Sequence, residues 1–315
     1  MTVLVTGGSG FVGSALCERL RNNAVPVRSA VRTQKSLPGE GGIIVVGSIS
    51  SETDWSAALK NVKQIVHSAA RVHVMKEKSS TPSIEFHSIN VDATANLARQ
   101  AAAAGVRRFV YLSSIKVNGE FTEAGQSFTA EAVPAPQDPY GVSKHEAEQL
   151  LRQIAAETGM EVVIIRPPLV YGPGVKANFE SMMRWLSCGA PLPLAAVNQN
   201  RRSLVALDNL VDLIVTCLNH PAAANQTFLV SDGEDLSTAD LLKRMAVAMG
   251  RSARLFYVPL ALLKLGATLL GSPGIYQRLC GSLQLDIAKT RQLLNWTPPI
   301  SVDEGLRRAA KRSQA

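Results

Sequence analysis

Residues 2–20 constrain the fold more than any other stretch. Thr2-Val3-Leu4-Val5-Thr6 is a short β-branched run that feeds Gly7-Gly8-Ser9-Gly10-Phe11-Val12-Gly13, and this in turn feeds Ser14-Ala15-Leu16-Cys17-Glu18-Arg19-Leu20. Phe11/Ala15, Val12/Leu16 and Leu16/Leu20 recur at helical spacing. The order is strand, glycine turn, helix, and Gly8-x-Gly10-x-x-Gly13 has the spacing of a dinucleotide fingerprint. Glycines permit positive φ and let backbone N–H groups approach a pyrophosphate. The helix start adds partial positive charge and unsatisfied donors. A glycine pattern alone is often only a turn; between a buried-type strand and an amphipathic helix it predicts a dinucleotide site.

The remainder of the chain repeats the alternation. Strands are expected at Val25–Val31, Gly41–Val46, Gln64–Ala70, Arg108–Ser114 and Val162–Ile165, with helices at Trp55–Leu59, Ser83–Gly105 and from Asp138-Pro139-Tyr140 to Gly159. Near-continuous apolar strands between helices predict an α/β fold, a doubly wound parallel sheet of Rossmann type with both faces covered. After Arg166-Pro167-Pro168 the composition becomes loop-rich, with a helix near Phe179–Leu186. A strand at 203–207 and a helix at 208–219 are expected to return to the main sheet, whose last strand is Phe228–Val230. Capping boxes at Ser237–Asp240 and Ser301–Glu304 open two later helices. These breaks divide the chain into a dinucleotide domain, 1–166 plus 203–232, and a smaller C-terminal substrate domain, 167–202 plus 233–315.

Composition narrows the classes. The chain has 315 residues, 46% hydrophobic and 18% charged, and its four cysteines (Cys17, Cys188, Cys217, Cys280) lie far apart with no metal-ligand spacing. This suits a reducing compartment without a metal. A first strand at residue 2 leaves no signal peptide, so a cytoplasmic location is expected. The net charge of +8 suits a solvated basic surface or phosphorylated ligands, and no basic–aromatic repeat points to nucleic acid. Leu255–Leu270 is apolar but broken by Pro259, Lys264 and Gly266; it predicts a helix of the substrate domain rather than a membrane span, a membrane-facing helix being the alternative.

Tyr140-Gly-Val-Ser-Lys144 sets a phenol and an ammonium four apart on one helix face. A nearby cation stabilises phenolate and is expected to bring the Tyr140 proton towards the neutral range. Tyr-x-x-x-Lys arises by chance; it gains specificity from Ser113-Ser114 at the end of the fifth strand.

With Thr6-Gly-Gly-Ser-Gly-Phe-Val-Gly13, His67-Ser-Ala-Ala70, Asn90-Val91, Leu112-Ser-Ser-Ile-Lys-Val-Asn-Gly119, Tyr140/Lys144 and Arg166-Pro-Pro-Leu-Val-Tyr-Gly-Pro173, the chain resembles an extended short-chain dehydrogenase/reductase over its whole length. That family includes nucleotide-sugar 4-epimerases, 4,6-dehydratases and 4-ketoreductases, and the frame Gly7-x-x-Gly10-x-x-Gly13 has its spacing. The resemblance implies that Ser114, Tyr140 and Lys144 are catalytic: Tyr140 as acid/base at the sugar C4 oxygen, Ser114 bonded to that oxygen, and Lys144 on the nicotinamide ribose. It implies cofactor contacts at Gly7, Gly10, Phe11, Val12, Gly13, Arg32, Thr33, His67, Ala69, Ala70, Asn90, Tyr140, Lys144 and Pro167. Arg202 would bind the substrate diphosphate, and Asn178 would be a second substrate contact. The Ala-rich Asp92–Ala104 helix and the Tyr140 helix are the pair such enzymes use to form homodimers.

Departures from the family pattern set the expected reaction. Dehydratases carry an acidic pair after the catalytic hydroxyl, where this chain has Ile115 and Lys116, so dehydration is excluded. Gly47-Ser48 replaces a frequent Gly-Asp at the adenine. Where NAD enzymes end the second strand in an acid that takes the ribose 2′-OH, this chain has Arg32-Thr33, which suits a 2′-phosphate. The leading expectation is therefore an NADPH-dependent nucleotide-sugar 4-ketoreductase, acting on a UDP-4-keto-6-deoxy-N-acetylhexosamine for surface-polysaccharide (O-antigen) synthesis. A UDP-hexose 4-epimerase with retained NAD is the alternative, and a non-catalytic dinucleotide sensor the third.

Overall fold

The computed structural model describes residues 2–33, 42–72, 82–176, 178–269, 271 and 273–311. The chain begins β1 (Thr2–Thr6), α1 (Phe11–Asn22), β2 (Val27–Val31), β3 (Ile43–Val45), α2 (Ser56–Leu59) and β4 (Val62–His67). Next, α3 (Pro82–His87) runs through a π turn (Ser88–Asp92) into α4 (Ala93–Ala103), followed by β5 (Arg108–Leu112), α5 (Pro139–Thr158) and β6 (Glu161–Arg166). β7 (Leu169–Tyr171), α6 (Asn178–Ser187), β8 (Arg202–Ala206), α7 (Leu207–Asn219), β9 (Thr227–Leu229) and β10 (Asp235–Leu236) come after it. The C-terminal part is helical: α8 (Thr238–Ala248), α9 (Leu260–Leu269), α10 (Pro273–Cys280), α11 (Ala288–Leu294) and α12 (Val302–Lys311).

Seven strands form one parallel sheet in the order β3-β2-β1-β4-β5-β6-β9. Val5 lies opposite Ser29 on one side and Val66 on the other. The chain winds outward in both directions from β1, so the strand order reverses between β1 and β4, the place where open α/β sheets leave a crevice beyond their carboxyl ends. Both faces are covered, as the apolar strands require. Leu16 and Leu20 of α1 and Leu210 and Ile214 of α7 pack on one face; Trp55, Leu97, Ala98 and Leu151 pack on the other.

The strand expected at 203–207 forms but does not join this sheet. The edge of β6 is taken by β9, in the register Ile165↔Phe228. β8 instead runs parallel to β7, Val170↔Val205, and antiparallel to β10. Only α7 returns to the main sheet. A third apolar cluster, with Tyr171, Phe179, Leu204, Leu242 and Leu306, forms around the small sheet. Within α4, Ala95, Ala98 and Ala101 are buried against the sheet, whereas Ala103 and the following Ala104 are exposed.

The α5 helix sits where its caps place it. Asp138 Oδ1 accepts the Gly141 N–H at 2.6 Å, Pro139 occupies the first turn, and Gly159 closes the helix at φ +74°. That fixes Tyr140 in the first turn of α5, facing the end of β5.

Candidate active site

The glycine loop is made of backbone that tolerates no side chain. Gly7 sits at φ +68°, and a Cβ there would lie 2.9 Å from the Ala69 nitrogen; one on Gly13 would lie 2.2 Å from the Gly7 carbonyl oxygen. The Gly10 N–H donates to Gly7 O at 2.8 Å, closing the turn that starts α1. Gly10 caps α1 without a side-chain hydrogen bond, and no acidic residue stands in its first turn. The start of α1 thus keeps donors and partial positive charge available to an anion. Phe11 and Val12 are half-buried, packed on the core beneath the loop. Arg32 and Thr33 are exposed just beyond the end of β2, whereas the next acid in sequence, Glu40, lies outside the described residues.

On the other side of the crevice, β4 ends at His67, whose side chain is turned inward. Its Nδ1 is hydrogen-bonded to Thr6 Oγ1 at 2.7 Å and its Nε2 to Thr94 Oγ1 at 2.9 Å. Burial, with the Lys144 charge nearby, lowers its pKa to about 3, so it is neutral at ordinary pH. Both ring nitrogens are engaged inside the protein, so the His67 side chain joins β1, β4 and α4. Asn90 is similar. It takes the Arg71 N–H at 2.9 Å on Oδ1 and donates from Nδ2 to Arg71 O at 3.1 Å and Ser143 Oγ at 3.0 Å. From the π turn it ties the segment following Ala69 and Ala70 to α5. The Ala69 N–H approaches Thr6 Oγ1 at 3.3 Å, which places both alanines beside the glycine loop.

Ser114, Tyr140 and Lys144 converge as expected. Ser114 caps a 3₁₀ turn, Ile115–Val117, and accepts the Lys116 N–H at 3.2 Å. Pro167, buried after β6, supports that turn by accepting the Ile115 N–H at 3.0 Å. The Tyr140 phenol lies close enough to Ser114 for the serine to influence its proton. The Lys144 Nζ donates to Leu112 O at 2.8 Å and lies 4.5 Å from the Tyr111 ring centre and 5.9 Å from that of Tyr140. The electrostatics differ from the expectation that Lys144 would lower the Tyr140 pKa. Loss of water around the phenol, and then the Asp138 carboxylate, raise the Tyr140 pKa, with the Ser114 hydroxyl working the other way. Burial also lowers the Lys144 pKa to about 7, against the pull of Glu148. Desolvation is the largest influence on both groups.

Two charge clusters support this trio; the sequence pointed to Lys116, Asp138 and Arg166 singly but not to their pairings. Glu148, one turn beyond Lys144 and fully buried, receives Arg166 Nε at 2.8 Å and Nη2 at 2.5 Å, and Ser113 Oγ at 2.6 Å. Arg166 also donates to Asn118 Oδ1 at 2.9 Å. The network locks the end of β5, α5 and the end of β6 together around Ser114. The only available signal was the i,i+4 step from Lys144. The second cluster is Lys116, which pairs with Asp138 and, at 2.9 Å, with Glu120. Burial works against its charge, but the two carboxylates outweigh it and raise its pKa.

Arg202 opens β8, and its Nη1 donates to Gly281 O at 3.0 Å. Among the described residues its guanidinium has no acidic partner, and burial lowers its pKa. Gly281 also lines a cavity of about 370 Å³ with Phe121, Thr122, Lys264, Thr268 and Tyr276. Asn178 begins α6; its side chain lies outside the described residues. The described residues contain no cluster fit to hold a metal ion.

The profile of the NAD dependent epimerase/dehydratase family matches residues 3–231. A UDP-glucose 4-epimerase of Vibrio cholerae is 48% identical over 311 residues, covering 98% of this chain and 94% of that protein. Among solved structures, a UDP-glucuronic acid 4-epimerase from Bacillus cereus in complex with NAD superposes with a TM-score of 0.80 at 21% identity, covering 100% of this chain and 99% of the other. A UDP-glucose 4-epimerase from Thermotoga maritima with UDP-glucose gives 0.78 at 20%, with the same coverage. The glycine loop on a doubly wound sheet, the Ser–Tyr–Lys convergence at its carboxyl end and a match across nearly the full length lead to one conclusion: this chain is an enzyme of the NAD dependent epimerase/dehydratase family, within the extended short-chain dehydrogenases.

Proposed function

We propose that the enzyme is a UDP-hexose 4-epimerase that keeps its NAD, in place of the 4-ketoreductase expected first. The observation that carries this reading is the 48% identity over 98% of the chain to a UDP-glucose 4-epimerase. The start of α1 fits the cofactor: its donors are free of a capping side chain, and the loop approaches closely enough that a Cβ on Gly13 would strike backbone. In this reading Gly7, Gly10, Phe11, Val12 and Gly13 hold the pyrophosphate, Arg32 and Thr33 face the adenosine ribose, and Lys144 holds the nicotinamide ribose.

NAD held there would supply a reversible hydride acceptor for the C4 hydrogen. Tyr140 takes the proton of the C4 hydroxyl and later returns it. Ser114, next to the phenol, donates to the same sugar oxygen and holds it in line with Tyr140. Lys116 keeps the Asp138 charge paired, limiting how far that carboxylate disfavours the phenolate. Arg202, a half-buried cation without an acidic partner among the described residues, holds the diphosphate, and Asn178 contributes a second contact. Segments 167–202 and 233–315 supply the sugar-nucleotide side, and the homodimer expected of α4 and α5 is part of the same reading.

One observation favours the NADPH-dependent 4-ketoreductase as a second reading: exposed Arg32, not an acid, directly follows β2. Incubating the purified enzyme with UDP-glucose or UDP-galactose, without added cofactor, and following the anomeric NMR signals separates the two. Interconversion without net cofactor consumption is expected. No interconversion, together with one NADPH consumed per UDP-4-keto-6-deoxy sugar and NADPH binding weakened roughly 10- to 100-fold by Arg32→Asp, would replace the epimerase by the reductase.

A further inference from the structure

The described residues contain seventeen large hydrophobic side chains classed as exposed, and eight of them lie between Val247 and Ile275. The densest part is α9 with the segment before it: Phe256, Tyr257, Leu260, Leu262, Leu265 and Leu269. Of these, Tyr257 is 72% exposed, Leu265 55% and Leu269 78%. The helix turns Leu263 to the core, whereas Leu265 and Leu269, one turn apart, and neighbouring Leu262 face solvent. No residue of α9 is buried. Contiguous exposed leucines of this kind mark a docking surface.

Charge identifies what docks. Between Asp240 and Asp286 the sequence has no Asp or Glu but has six basic residues, Lys243, Arg244, Arg251, Arg254, Lys264 and Arg278. Arg251, Arg254, Lys264 and Arg278 are exposed, and among the described residues none of these four is paired with an acid. A second copy meeting this face about a two-fold axis would set basic residue against basic residue. An anionic lipid surface instead supplies negative charge for the rim, hydrocarbon for the leucines, and a headgroup layer for Phe256 and Tyr257. Geometry limits the mode of contact. α9 has ten residues, about 15 Å of helix against a hydrocarbon core of about 30 Å, and no helix of the described residues is long and apolar enough to cross a membrane.

We propose that the α9 face, with Phe256 and Tyr257, docks in the plane of an anionic phospholipid surface, holding the enzyme on a membrane without spanning it. The α9 face contributes none of Ser114, Tyr140 and Lys144, although Lys264 and Thr268 also line the cavity beside Gly281, and the proposal is independent of which sugar reaction the trio performs.

The test is co-sedimentation of the full chain with phosphatidylcholine vesicles and with equimolar phosphatidylcholine–phosphatidylglycerol vesicles, without substrate. Binding to the anionic vesicles, reduced by 1 M salt, is expected. The variant Leu262→Asp/Leu265→Asp/Leu269→Asp should bind at least tenfold more weakly, and Arg254→Gln/Lys264→Gln should lose the preference for anionic lipid. Because all these positions are exposed, thermal melts matching the wild type are expected and show that the fold is kept. Failure to sediment with either vesicle, or unchanged binding by the leucine variant, overturns the proposal. A dimer that the leucine variant converts to monomer, with no vesicle binding by the wild type, assigns the face to a second copy.

Discussion

The two walls of the crevice are built from different materials. The α1 wall is backbone: Gly7, Gly10 and Gly13 leave amide groups and a helix start, with no ionisable side chain among them. The α5 wall is buried charge: Lys144 and Glu148 on successive turns, Arg166 from β6, and Tyr140 at the helix start. The first wall can bind an anion at any ordinary pH and is sensitive only to shape. The second holds charged groups away from water, which costs stability but keeps proton-transfer groups ready.

The sharpest test of this contrast is Tyr140→Phe. Removing one oxygen from the charged wall should lower turnover about 10²- to 10⁴-fold while leaving dinucleotide binding, measured by calorimetry, at the wild-type level. Equal turnover would remove Tyr140 from its proposed role.

Glu148→Gln probes the cost of the same wall. It leaves Arg166 buried beside a neutral amide, and urea unfolding should report a loss of about 3–5 kcal/mol. A loss below about 1 kcal/mol would mean that the pair behaves as a surface ion pair and the wall is wetter than described.

Lys144→Met should give the opposite sign. The native pKa is about 7 against an ordinary lysine value near ~10.4 in the unfolded chain. Between those values the unfolded chain binds more protons, so this group makes stability rise with pH. Its penalty is full below pH ~7 and gone above ~10.4. The Met variant, though inactive, should melt about 2–5 °C above the wild type at pH 6, and the gap should close as the pH rises through that window. A pH-independent gap would show that packing, not charge, is responsible.

On the backbone wall, Gly13→Ala should cost about 1–3 kcal/mol by overpacking and weaken dinucleotide binding, since its Cβ would sit 2.2 Å from the Gly7 carbonyl oxygen. Gly10→Ala, with its closest contact at 3.1 Å, should be milder. If the two melt alike, the loop is softer than its geometry implies.

The same contrast explains what could be read from the sequence. The backbone wall was legible because glycine spacing and strand–helix order are local properties, as were the Asp138 and Gly159 caps of α5. The convergence of Ser114 with Tyr140 was legible through motif resemblance. Partnerships that depend on burial were not: Glu148 with Arg166, His67 between Thr6 and Thr94, and the shift of Lys144 towards neutrality all join residues distant in sequence or depend on how much water is excluded. The pairing of β8 was missed for a related reason. Its residues pattern like any buried strand, and only the occupation of the β6 edge by β9 sends it to the smaller sheet.

Lys116 also bears on how this enzyme could change reaction in the course of evolution. It stands where related dehydratases carry an acid, and here it neutralises Asp138 and Glu120. A single exchange to Glu would bring three carboxylates together at the start of α5, without the cation that now separates two of them. The capping of α5, and with it the placement of Tyr140, would weaken before any elimination chemistry was gained. Moving between the two reaction types therefore needs coupled substitutions at residues 116 and 138 or 120, whose effects are non-additive. Such a valley in the fitness landscape would keep lineages with Lys116 and lineages with an acid apart even while they share a fold.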